Sequence, residues 1–520
     1  MSSNTISIEK NTPFSQSILW QLQAEYFEKQ GIIAWNGQVP FFITSNPYIA
    51  DRYAHVIIRF IQDCIRHGHD QTKPFYIIEL GTGSGQFSYY CLKSLQKLQQ
   101  QLHLDHIDIC YVMTDFTEAN LTFWLQHEAL LPFVEKGLLD FATYNLEAPS
   151  TIQLHHKKIN LDHTQATNPA ILIANYIFDT VQHDIFRMKS GKLHETLVNV
   201  SCKPGNMHQG KPIELEHVLT HFNYRELTST DYYDNPTLNQ ILEQYTQQLE
   251  NGHFLFPVGA FKCIEYFEQI FNQGLMVLAT DKAYTDLFEL TDRKAPTITF
   301  HGSLSMTVNF HTIGKYCQLR HGQVKHQLQS DSIRSSVFML GLKDTFQPIE
   351  TNVAICSHLH HISPGDYFRL HRHVRESDKF DIRIVQTQLH ACHWDPYVLK
   401  LHLNQLVKTL PQSDQRIVEG FITGLDIARH NIYSMPNMAD HYFNIGMILH
   451  AVYAYEKAIT CYRESISRFG DKFSNHYNLG LCYHMLNNDQ HAIEHFSQAD
   501  RLEQNGQQAK TWLDKLKKKR

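Results

Sequence analysis

An acidic residue followed by three closely spaced glycines gives this chain a place where it could bind a ligand. The hydrophobic run that begins at Phe75 ends at Glu79. Three glycines then alternate with other residues: Gly81, Gly83 and Gly85. Glycines allow a ligand to approach the backbone closely, and a helix predicted from Ser84 to Leu98 would offer free N–H groups at its beginning. We therefore predict a ligand site beyond the carboxyl end of this strand.

The spacing of the glycines distinguishes between ligands. Dinucleotide-binding folds use G-x-G-x-x-G and place a pyrophosphate at the helix. Here the pattern is E-x-G-x-G-x-G with Thr82 inside the turn, and Glu79 would repel a pyrophosphate but could hold the cationic amino group of a methionine moiety. The turn resembles motif I of class I S-adenosylmethionine-dependent methyltransferases. The alternative is a purely structural turn after a buried strand.

A second acidic residue lies where a nucleoside would need one. The next apolar run, from Ile107 to Met113, leads to Asp115, about thirty residues beyond the glycine turn. A carboxylate at this strand's end could accept hydrogen bonds from both ribose hydroxyls. The alternative is that Asp115 caps the helix predicted from Thr117 to Glu128, a role that contributes about 1 kcal/mol.

Strands and helices alternate through this part of the chain, which predicts an α/β fold. Three further apolar runs read as strands: Leu139–Tyr144, Ala170–Ala174 and Leu275–Ala279. We predict a doubly wound, Rossmann-like parallel sheet with right-handed crossovers, interrupted by an inserted substrate lobe at about 181–254. After it, Val308 to Tyr316 is predicted to be helical, and Ser335 to Leu342 a closing strand or helix.

Composition limits the classes of protein that fit. The chain has 520 residues, 42% of them hydrophobic, and a net charge of -6, so it can form several cores and carries no excess positive charge for nucleic acid. Its 10 cysteines form no CxxC pair, and no run of eighteen apolar residues or secretory signal occurs. We expect a cytoplasmic protein that spans no membrane, with export by a signal-free route left open.

The 34 histidines raise the question of a metal site. They cluster around His358, His371 and His390, but at spacings that match no known zinc geometry. A general bias towards polar residues explains their spread, so we expect no metal.

The C-terminal part contains an internal repeat with a period of 34 residues. Four pairs of positions share it: Asn444 with Asn478, Gly446 with Gly480, Ala458 with Ala492, and Tyr462 with Phe496. This pattern is typical of tetratricopeptide repeats, in which paired helices stack on their neighbours. Helices at about 409–430 and from Gln504 to Lys518 are predicted to cap the two repeats. The predicted fold is therefore an α/β methyltransferase-like sheet followed by an all-α repeat domain.

These features divide the chain into five predicted regions. We expect a helical lead with a cofactor-covering loop, the methyltransferase domain with its insertion, a connector of unclear fold, two tetratricopeptide repeats and a basic helical tail. Their bounds are 1–70, 71–345, 346–430, 431–505 and 506–520.

Four segments resemble the MidA-like methyltransferases, the group that includes the mitochondrial complex I assembly factor with arginine methyltransferase activity. They are Pro40–Pro47, Glu79–Gly85, Ile173–His183 and Thr307–Phe310. The resemblance spans about residues 14–345 and implies that S-adenosyl-L-methionine is the cofactor. It also implies that Thr44 and Ser45 belong to a loop over the cofactor, and that the repeats are an addition to the family's pattern.

One departure from the family bears on the chemistry. Where the family has N-E-x-x-D, this chain has Asn175, Tyr176 and Asp179, so the glutamate is absent. Asp179 could orient or deprotonate a nucleophile that Asn175 or Tyr176 hydrogen-bonds, but a lone carboxylate weakens an arginine assignment. The alternative is that Asp179 caps the next segment and Tyr176 only packs. His183 is expected to be structural.

We therefore predict a methyltransferase that acts on a protein side chain, with the protein or peptide docked by the repeats. Two other functions stay open. A catalytically inactive fold could serve as a scaffold for the repeats, or the acceptor could be a small molecule while the repeats serve docking or a homodimer. A dehydrogenase is disfavoured because Glu79 stands where a pyrophosphate would lie.

Overall fold

The structure is a computed structural model that describes residues 5–35, 43–203, 213–301, 303–327, 333–376, 379–502 and 507–518. Packing divides the chain into two compact units, Met1–Tyr367 and Phe368–Arg520. The remaining residues include 40–42 of the predicted cofactor loop and 504–506 of the predicted capping helix, which therefore lie outside the described residues.

The first unit contains the strands and helices of an α/β domain. Its strands are β1 Ile6–Pro13, β2 Phe75–Glu79, β3 Ile109–Asp115, β4 Leu139–Thr143, β5 Ile152–Gln153, β6 Asn160–Leu161, β7 Ala170–Asn175, β8 Asp184–Lys189, β9 Lys192–Cys202, β10 Val218–Glu226, β11 Gly252–Phe256, β12 Leu275–Tyr284, β13 Thr299–His301, β14 Ser303–Ser305, β15 Val308–Asn309, β16 Gln323–His326 and β17 Ile333–Leu340. Its helices are α1 Ile18–Gln30, α2 Pro47–Arg66, α3 Gln86–Gln101, α4 Glu118–Leu125, α5 Leu131–Glu135, α6 Pro236–Gln248, α7 Val258–Ile270, α8 Phe310–Leu319 and α9 Ile349–Ala354.

The main sheet has the strand order β16-β17-β12-β7-β2-β3-β4. The strands from β12 to β4 are parallel, whereas β17 is antiparallel to both of its neighbours. All residues of β2 and β3 are buried, as expected for strands covered by helices on both faces. The chain leaves β2 in one direction for β3 and β4 and then returns to β7 on the other side. This reversal opens a crevice at the carboxyl ends of β2 and β7.

The α/β prediction is confirmed, with small shifts of the element bounds. The segment Val308–Tyr316 was predicted to be wholly helical, but Val308 and Asn309 form β15, and α8 begins at Phe310. The Asn309 side chain explains the boundary, because its Oδ1 accepts a hydrogen bond from the Thr312 N–H at 3.2 Å and caps the helix. The closing element predicted at Ser335–Leu342 is the strand β17.

The inserted segment forms a second, antiparallel sheet with the order β1-β9-β8-β11 and with β10 paired to β9. The helical lead predicted for 1–70 is wrong at its beginning, because β1 joins this sheet from the N-terminus. Ile6 pairs with Cys202 and Pro13 with Leu197. The partner of β1 is β9, and Asn11 of β1 bonds to Asn199, which is 188 residues away in the sequence. No local sequence pattern could indicate this pairing. Helices α1 and α2 follow as expected.

Residues after 346 continue the first unit by packing on α2. The buried carboxylate of Asp63 accepts hydrogen bonds from the backbone N–H groups of Glu350 and Thr351, at 3.3 and 2.8 Å, and from the Thr351 hydroxyl at 2.7 Å. Asp63 therefore caps α9 from the neighbouring helix α2. A carboxylate is suited to this position because the N-terminus of a helix carries a partial positive charge.

The second unit is helical in its described residues. Its helices are α10 Pro364–Glu376, which begins in the first unit, α11 Ile382–Ala391, α12 Pro396–Leu401, α13 Leu403–Thr409, α14 Gln415–His430, α15 His441–Ala451, α16 Tyr455–Phe469, α17 Phe473–Met485, α18 Asp489–Leu502 and α19 Gln508–Lys517. The connector of unclear fold at 346–430 is thus helical in the parts that the structure describes, including the helices predicted at about 409–430. An all-helical C-terminal region is confirmed.

The two helix pairs α15/α16 and α17/α18 show the same packing at a spacing of 34 residues. A Cβ atom on Gly446 would lie 2.7 Å from the ring of Tyr462, and one on Gly480 would lie 2.7 Å from the ring of Phe496. Each glycine therefore lets an aromatic ring of the second helix pack against the first. This geometry agrees with a repeat, and its assignment to the tetratricopeptide class stays a prediction.

Candidate active site

A cavity of about 180 Å³ lies at the carboxyl ends of β2, β3, β7 and β12. Most of the residues predicted to form the site line it: Thr44, Ser45, Glu79, Gly81, Thr82, Asp115, Asn175, Tyr176 and Asp179. Gly83 and Gly85 do not line it and instead shape the turn and the beginning of α3. The structure therefore brings the predicted cofactor and catalytic residues to one place.

The glycine turn leaves its backbone open to the cavity. Gly81 has a φ of 54°, in the left-handed region that favours glycine, and a Cβ atom there would lie 2.3 Å from Ile177 Cδ1. The turn is tied to the neighbouring strand because the Thr82 N–H donates to the Thr114 carbonyl at 2.8 Å. Any side chain at position 81 would therefore displace Ile177, which lines the same cavity.

Glu79 ends β2 beneath this turn and is only 5% exposed. Its Oε2 accepts hydrogen bonds from the Ser88 hydroxyl and, at 2.7 Å, from the Tyr111 hydroxyl. Burial raises the pKa of Glu79 to about 7, although these two donors favour the charged form. A cation near Glu79 would lower this pKa again, so the site is suited to a positively charged ligand group.

Asp115 ends β3 and is held by four hydrogen bonds. Its Oδ2 accepts from the Gly83 N–H at 3.1 Å and from the Asn120 amide at 2.9 Å. Its Oδ1 accepts from the Thr117 N–H at 3.0 Å and from the Thr117 hydroxyl at 3.1 Å. Asp115 therefore organises the start of α4, as the capping alternative requires. A ribose that bonds to this carboxylate must displace one of the two side-chain donors, since each oxygen already has two partners.

Asp179 follows β7, lines the cavity and has one oxygen without a hydrogen-bond partner among the described residues. Its Oδ2 accepts from the Ser305 hydroxyl at 2.9 Å, while its Oδ1 is buried without a hydrogen-bond partner among the described residues. Beneath it, Asp281 Oδ2 accepts from the Asp179 N–H at 3.1 Å, and Asp281 Oδ1 from the Lys282 N–H at 2.8 Å. A lone carboxylate is expected from the sequence, whereas the structure places a second one beside it, within β12.

The two carboxyl groups influence each other's protonation. Burial raises the pKa of Asp179 to about 6, and burial together with the charge of Asp179 raises the pKa of Asp281 well above its usual value. Two neighbouring buried carboxyl groups are difficult to ionise together because their negative charges repel. The pair Asp179 and Asp281 therefore keeps one shared proton to a higher pH than an isolated carboxyl group would. Asp179 is the member of the pair that reaches the cavity.

Asn175 and Tyr176 contribute polar atoms that lack partners among the described residues: Asn175 Nδ2 and the Tyr176 hydroxyl oxygen. Tyr176 has a φ of 54°, which is uncommon for a residue with a side chain. Its N–H donates to the Thr280 carbonyl at 2.9 Å, which holds this backbone in place. Strained residues and unpaired buried polar atoms concentrate at functional sites.

Other cavity residues come from elements that the sequence did not connect with the site. They are Trp20, Gln23, Ala24 and Phe27 of α1, Asn145, Leu146 and Glu147 after β4, Lys282 of β12, and Ser303 and Ser305 of β14. Gln23 joins two of these elements, because its Nε2 donates to the Thr180 carbonyl at 2.7 Å and its Oε1 accepts from the Leu304 N–H at 3.0 Å. For Asn145 to Glu147 the sequence offers one signal, because these residues follow the predicted strand Leu139–Tyr144 and ligands bind beyond the carboxyl ends of such strands.

His183 is close to the site but does not line the cavity. It is fully buried, its Nε2 lies 2.7 Å from the Phe178 carbonyl oxygen, and its ring stacks on Trp20. Burial lowers its pKa to about 4, so it stays neutral at physiological pH. Within the described residues, no group of three or more histidine, cysteine, aspartate or glutamate side chains is arranged to hold a metal ion.

A cavity at the switch point of a parallel sheet, with an open glycine turn and acidic residues at the ends of two adjacent strands, defines a class I S-adenosylmethionine-dependent methyltransferase domain. The cavity beside the glycine turn and its two acidic residues, Glu79 and Asp115, fit a nucleoside with a cationic amino-acid tail. Among the described residues, no helix is both long and apolar enough to cross a membrane.

Comparison with known proteins supports this class. Residues 56–289 match the family described as "Putative S-adenosyl-L-methionine-dependent methyltransferase". This match confirms the predicted resemblance for that part of the chain. The protein is therefore an S-adenosyl-L-methionine-dependent methyltransferase. No curated protein matches the chain.

Two solved structures resemble the fold distantly. One is an uncharacterized protein from Burkholderia thailandensis, with 11% identity, coverage of 66% of this chain and 90% of that chain, and a TM-score of 0.39. The other is a protein of the same superfamily and organism bound to S-adenosyl-homocysteine, with 9% identity, coverage of 68% and 91%, and a TM-score of 0.41. The family match, rather than these distant likenesses, carries the assignment.

Proposed function

We propose that this enzyme transfers the methyl group of S-adenosyl-L-methionine to a side chain of a protein. The observation that carries the proposal is the buried, unpartnered Oδ1 of Asp179, a residue that lines the same cavity as Glu79 and Asp115. When bound, the cofactor supplies an electrophilic methyl group and a good leaving group. What the protein must add is a nucleophile held in line and a group that takes its proton.

Glu79 and Asp115 are the proposed cofactor contacts. Glu79 Oε1 is the oxygen that could pair with the amino group, because Oε2 already accepts from Ser88 and Tyr111. Asp115 is proposed to accept from the ribose once the Asn120 amide or the Thr117 hydroxyl gives way. Thr44 and Ser45 line the cavity ahead of α2 and are proposed to exclude water from it.

Asp179 is the proposed base. A pKa of about 6 keeps it mostly ionised at neutral pH, yet basic enough to accept a proton from a nucleophile. The Ser305 hydroxyl fixes Oδ2 at 2.9 Å, so Oδ1 is the oxygen that receives the proton. The Tyr176 hydroxyl could hold the acceptor. Both oxygens of Asp281 already accept a hydrogen bond from a backbone N–H group. Asp179 is therefore the single carboxylate proposed to contact the acceptor, and arginine is the less favoured of the protein side chains.

The preference for a protein over a small molecule comes from the second unit. Its two similar helix pairs expose apolar side chains at the turns within the pairs: Tyr453 is 69% exposed and Met485 is 53% exposed. Exposed apolar side chains on paired helices are suited to binding a peptide or a helix. We propose that these repeats dock the protein substrate.

The affinity for S-adenosylhomocysteine should rise with pH up to about pH 7 and level off above it. Burial raises the pKa of Glu79 to about 7, so below that value the free protein carries a neutral side chain that cannot pair with an ammonium group. Binding then releases a proton, and affinity falls by up to about tenfold per pH unit on the acidic side. Calorimetric titration at three pH values measures this slope, and Glu79→Gln should flatten it. An unchanged slope in Glu79→Gln would assign the dependence to another group.

The proposed acceptor class can be tested with tritiated cofactor. The full-length enzyme is incubated with S-[methyl-³H]adenosylmethionine and a heat-inactivated cell extract, and the products are divided into acid-precipitable and soluble fractions. We expect tritium in the acid-precipitable fraction, sensitive to protease and absent with Asp179→Asn. Label confined to the soluble fraction would favour a small-molecule acceptor. An enzyme that binds the cofactor but labels neither fraction would favour a scaffold.

A further inference from the structure

A row of hydroxyl groups leads from β17 to Asn175 at the cavity. The Tyr53 hydroxyl lies 2.6 Å from Asn175 Oδ1 and 2.5 Å from Thr280 Oγ1. Thr280 Oγ1 lies 2.7 Å from Ser335 Oγ. The four residues come from α2, β7, β12 and β17, so the row crosses the sheet beside the site.

The direction of these hydrogen bonds is fixed by one end of the row. Asn175 Oδ1 is a carbonyl oxygen and can only accept, so the Tyr53 hydroxyl must donate its proton to it. Tyr53 then accepts from Thr280, and Thr280 accepts from Ser335. Burial raises the pKa of Tyr53 well above its usual value, so the hydroxyl keeps the proton that it donates.

This arrangement determines what Asn175 can offer to a ligand. Because its Oδ1 is held by Tyr53, its Nδ2 is directed away from the row, and it has no partner among the described residues. Asn175 also lines the cavity. The amide group therefore presents N–H donors, which require an oxygen acceptor on the ligand.

The position of Asn175 indicates which oxygen this is. On β7, Ile173 is the residue paired with Glu79, and its carbonyl accepts from the Leu80 N–H at 2.9 Å. Asn175 lies two residues further, beside the Gly81 turn, at the end of the crevice proposed for the amino-acid tail of the cofactor. We propose that Asn175 donates to the methionine carboxylate of the cofactor, and that Tyr53 is a positioning residue that holds the amide in its donating orientation. The inference rests on the proposed position of the cofactor. It makes Asn175 a cofactor-binding residue, whereas the sequence predicts a hydrogen bond from Asn175 to the nucleophile of the acceptor.

The test compares two ligands that differ only in the carboxylate. S-adenosylhomocysteine has it, whereas 5′-deoxy-5′-(3-aminopropylthio)adenosine keeps the amine and the thioether but lacks it. In calorimetric titrations of the full-length protein, Tyr53→Phe should weaken binding of the first about tenfold and of the second by less than about twofold. The matched control is Tyr245→Phe, which removes a fully buried hydroxyl bonded to Thr312 at 2.8 Å outside the cavity. It should change neither affinity.

Asn175→Asp provides a second variant of nearly the same shape. It replaces the donor by an oxygen, so it should weaken S-adenosylhomocysteine more than Tyr53→Phe does and again affect the carboxylate-free ligand less. Equal losses for both ligands, or no loss in either variant, would overturn the inference. Such a result differs from a failure of the proposed function, in which the unmodified protein itself would not bind S-adenosylhomocysteine.

Discussion

Replacing Asp179 with asparagine should lower the rate of methyl transfer by a factor of about 10² to 10⁴ while S-adenosylhomocysteine binds as before. The side chain keeps its shape, and its amide oxygen can still accept from the Ser305 hydroxyl, but it can no longer take up a proton. The rate of the unmodified enzyme should rise as pH increases through about 6, because only the ionised carboxylate is a base. Single-turnover rates with the labelled cofactor measure both effects.

The control for this prediction is Asp162→Asn. Asp162 is exposed in a turn, where its carboxylate accepts from the Thr164 N–H at 2.8 Å, and it does not line the cavity. Its variant should keep the full rate. If Asp179→Asn transferred methyl groups at the normal rate with the same pH profile, Asp179 would be a structural residue.

Replacing Asp115 with alanine should weaken S-adenosylhomocysteine binding by at least about a hundredfold, which corresponds to about 3 kcal/mol. The same loss is expected for adenosine, since the proposed contact is with the ribose. Stability should also fall by about 1–3 kcal/mol, because the Gly83 N–H and the Thr117 N–H lose their acceptor. Titration calorimetry and urea denaturation measure the two quantities separately.

Thr117→Val separates the capping role of Asp115 from its proposed binding role. The variant removes one donor to the carboxylate, the Thr117 hydroxyl at 3.1 Å, but leaves the carboxylate itself. We expect a modest loss of stability and no large loss of affinity. A folded Asp115→Ala protein that binds adenosine and S-adenosylhomocysteine normally would reduce Asp115 to a helix cap.

The parts of the site that sequence could predict are those with a local signal. Glu79 and the glycines that follow it occupy a single turn, and Asp115 ends the next strand. A parallel sheet brings such strand ends together whatever the loops between them do, so their shared cavity could be expected. The bounds of β2 and β3 followed from continuous apolar runs, which are typical of strands buried on both faces.

The parts that sequence could not predict depend on contacts between distant segments. Ser305 lies 126 residues from Asp179, and Gln23 lies 157 residues from Thr180. Asp281 lies two residues beyond the predicted strand Leu275–Ala279, but its approach to Asp179 depends on the register of β7 with β12. Pairing of this kind is set by the packed tertiary structure and leaves no periodicity in the chain.

Tyr176 shows a different limit. The sequence shows that a tyrosine replaces the family's glutamate at this position. It does not show that the backbone of Tyr176 is left-handed, with a φ of 54°. That conformation is fixed by its neighbours, including the hydrogen bond from its N–H to the Thr280 carbonyl. Such strain persists only when the surrounding structure determines it, so it becomes visible in the fold alone.

Titration of the full-length protein with S-adenosylhomocysteine tests the central claim most directly, because every proposed role depends on the cofactor lying over the glycine turn. We predict binding with a Kd of about 1–10 μM. Gly81→Val should abolish it, since a side chain there would collide with Ile177, which lines the same cavity, and would be strained at a φ of 54°. Absence of binding by the unmodified protein, or unchanged binding by a folded Gly81→Val protein, would contradict the account.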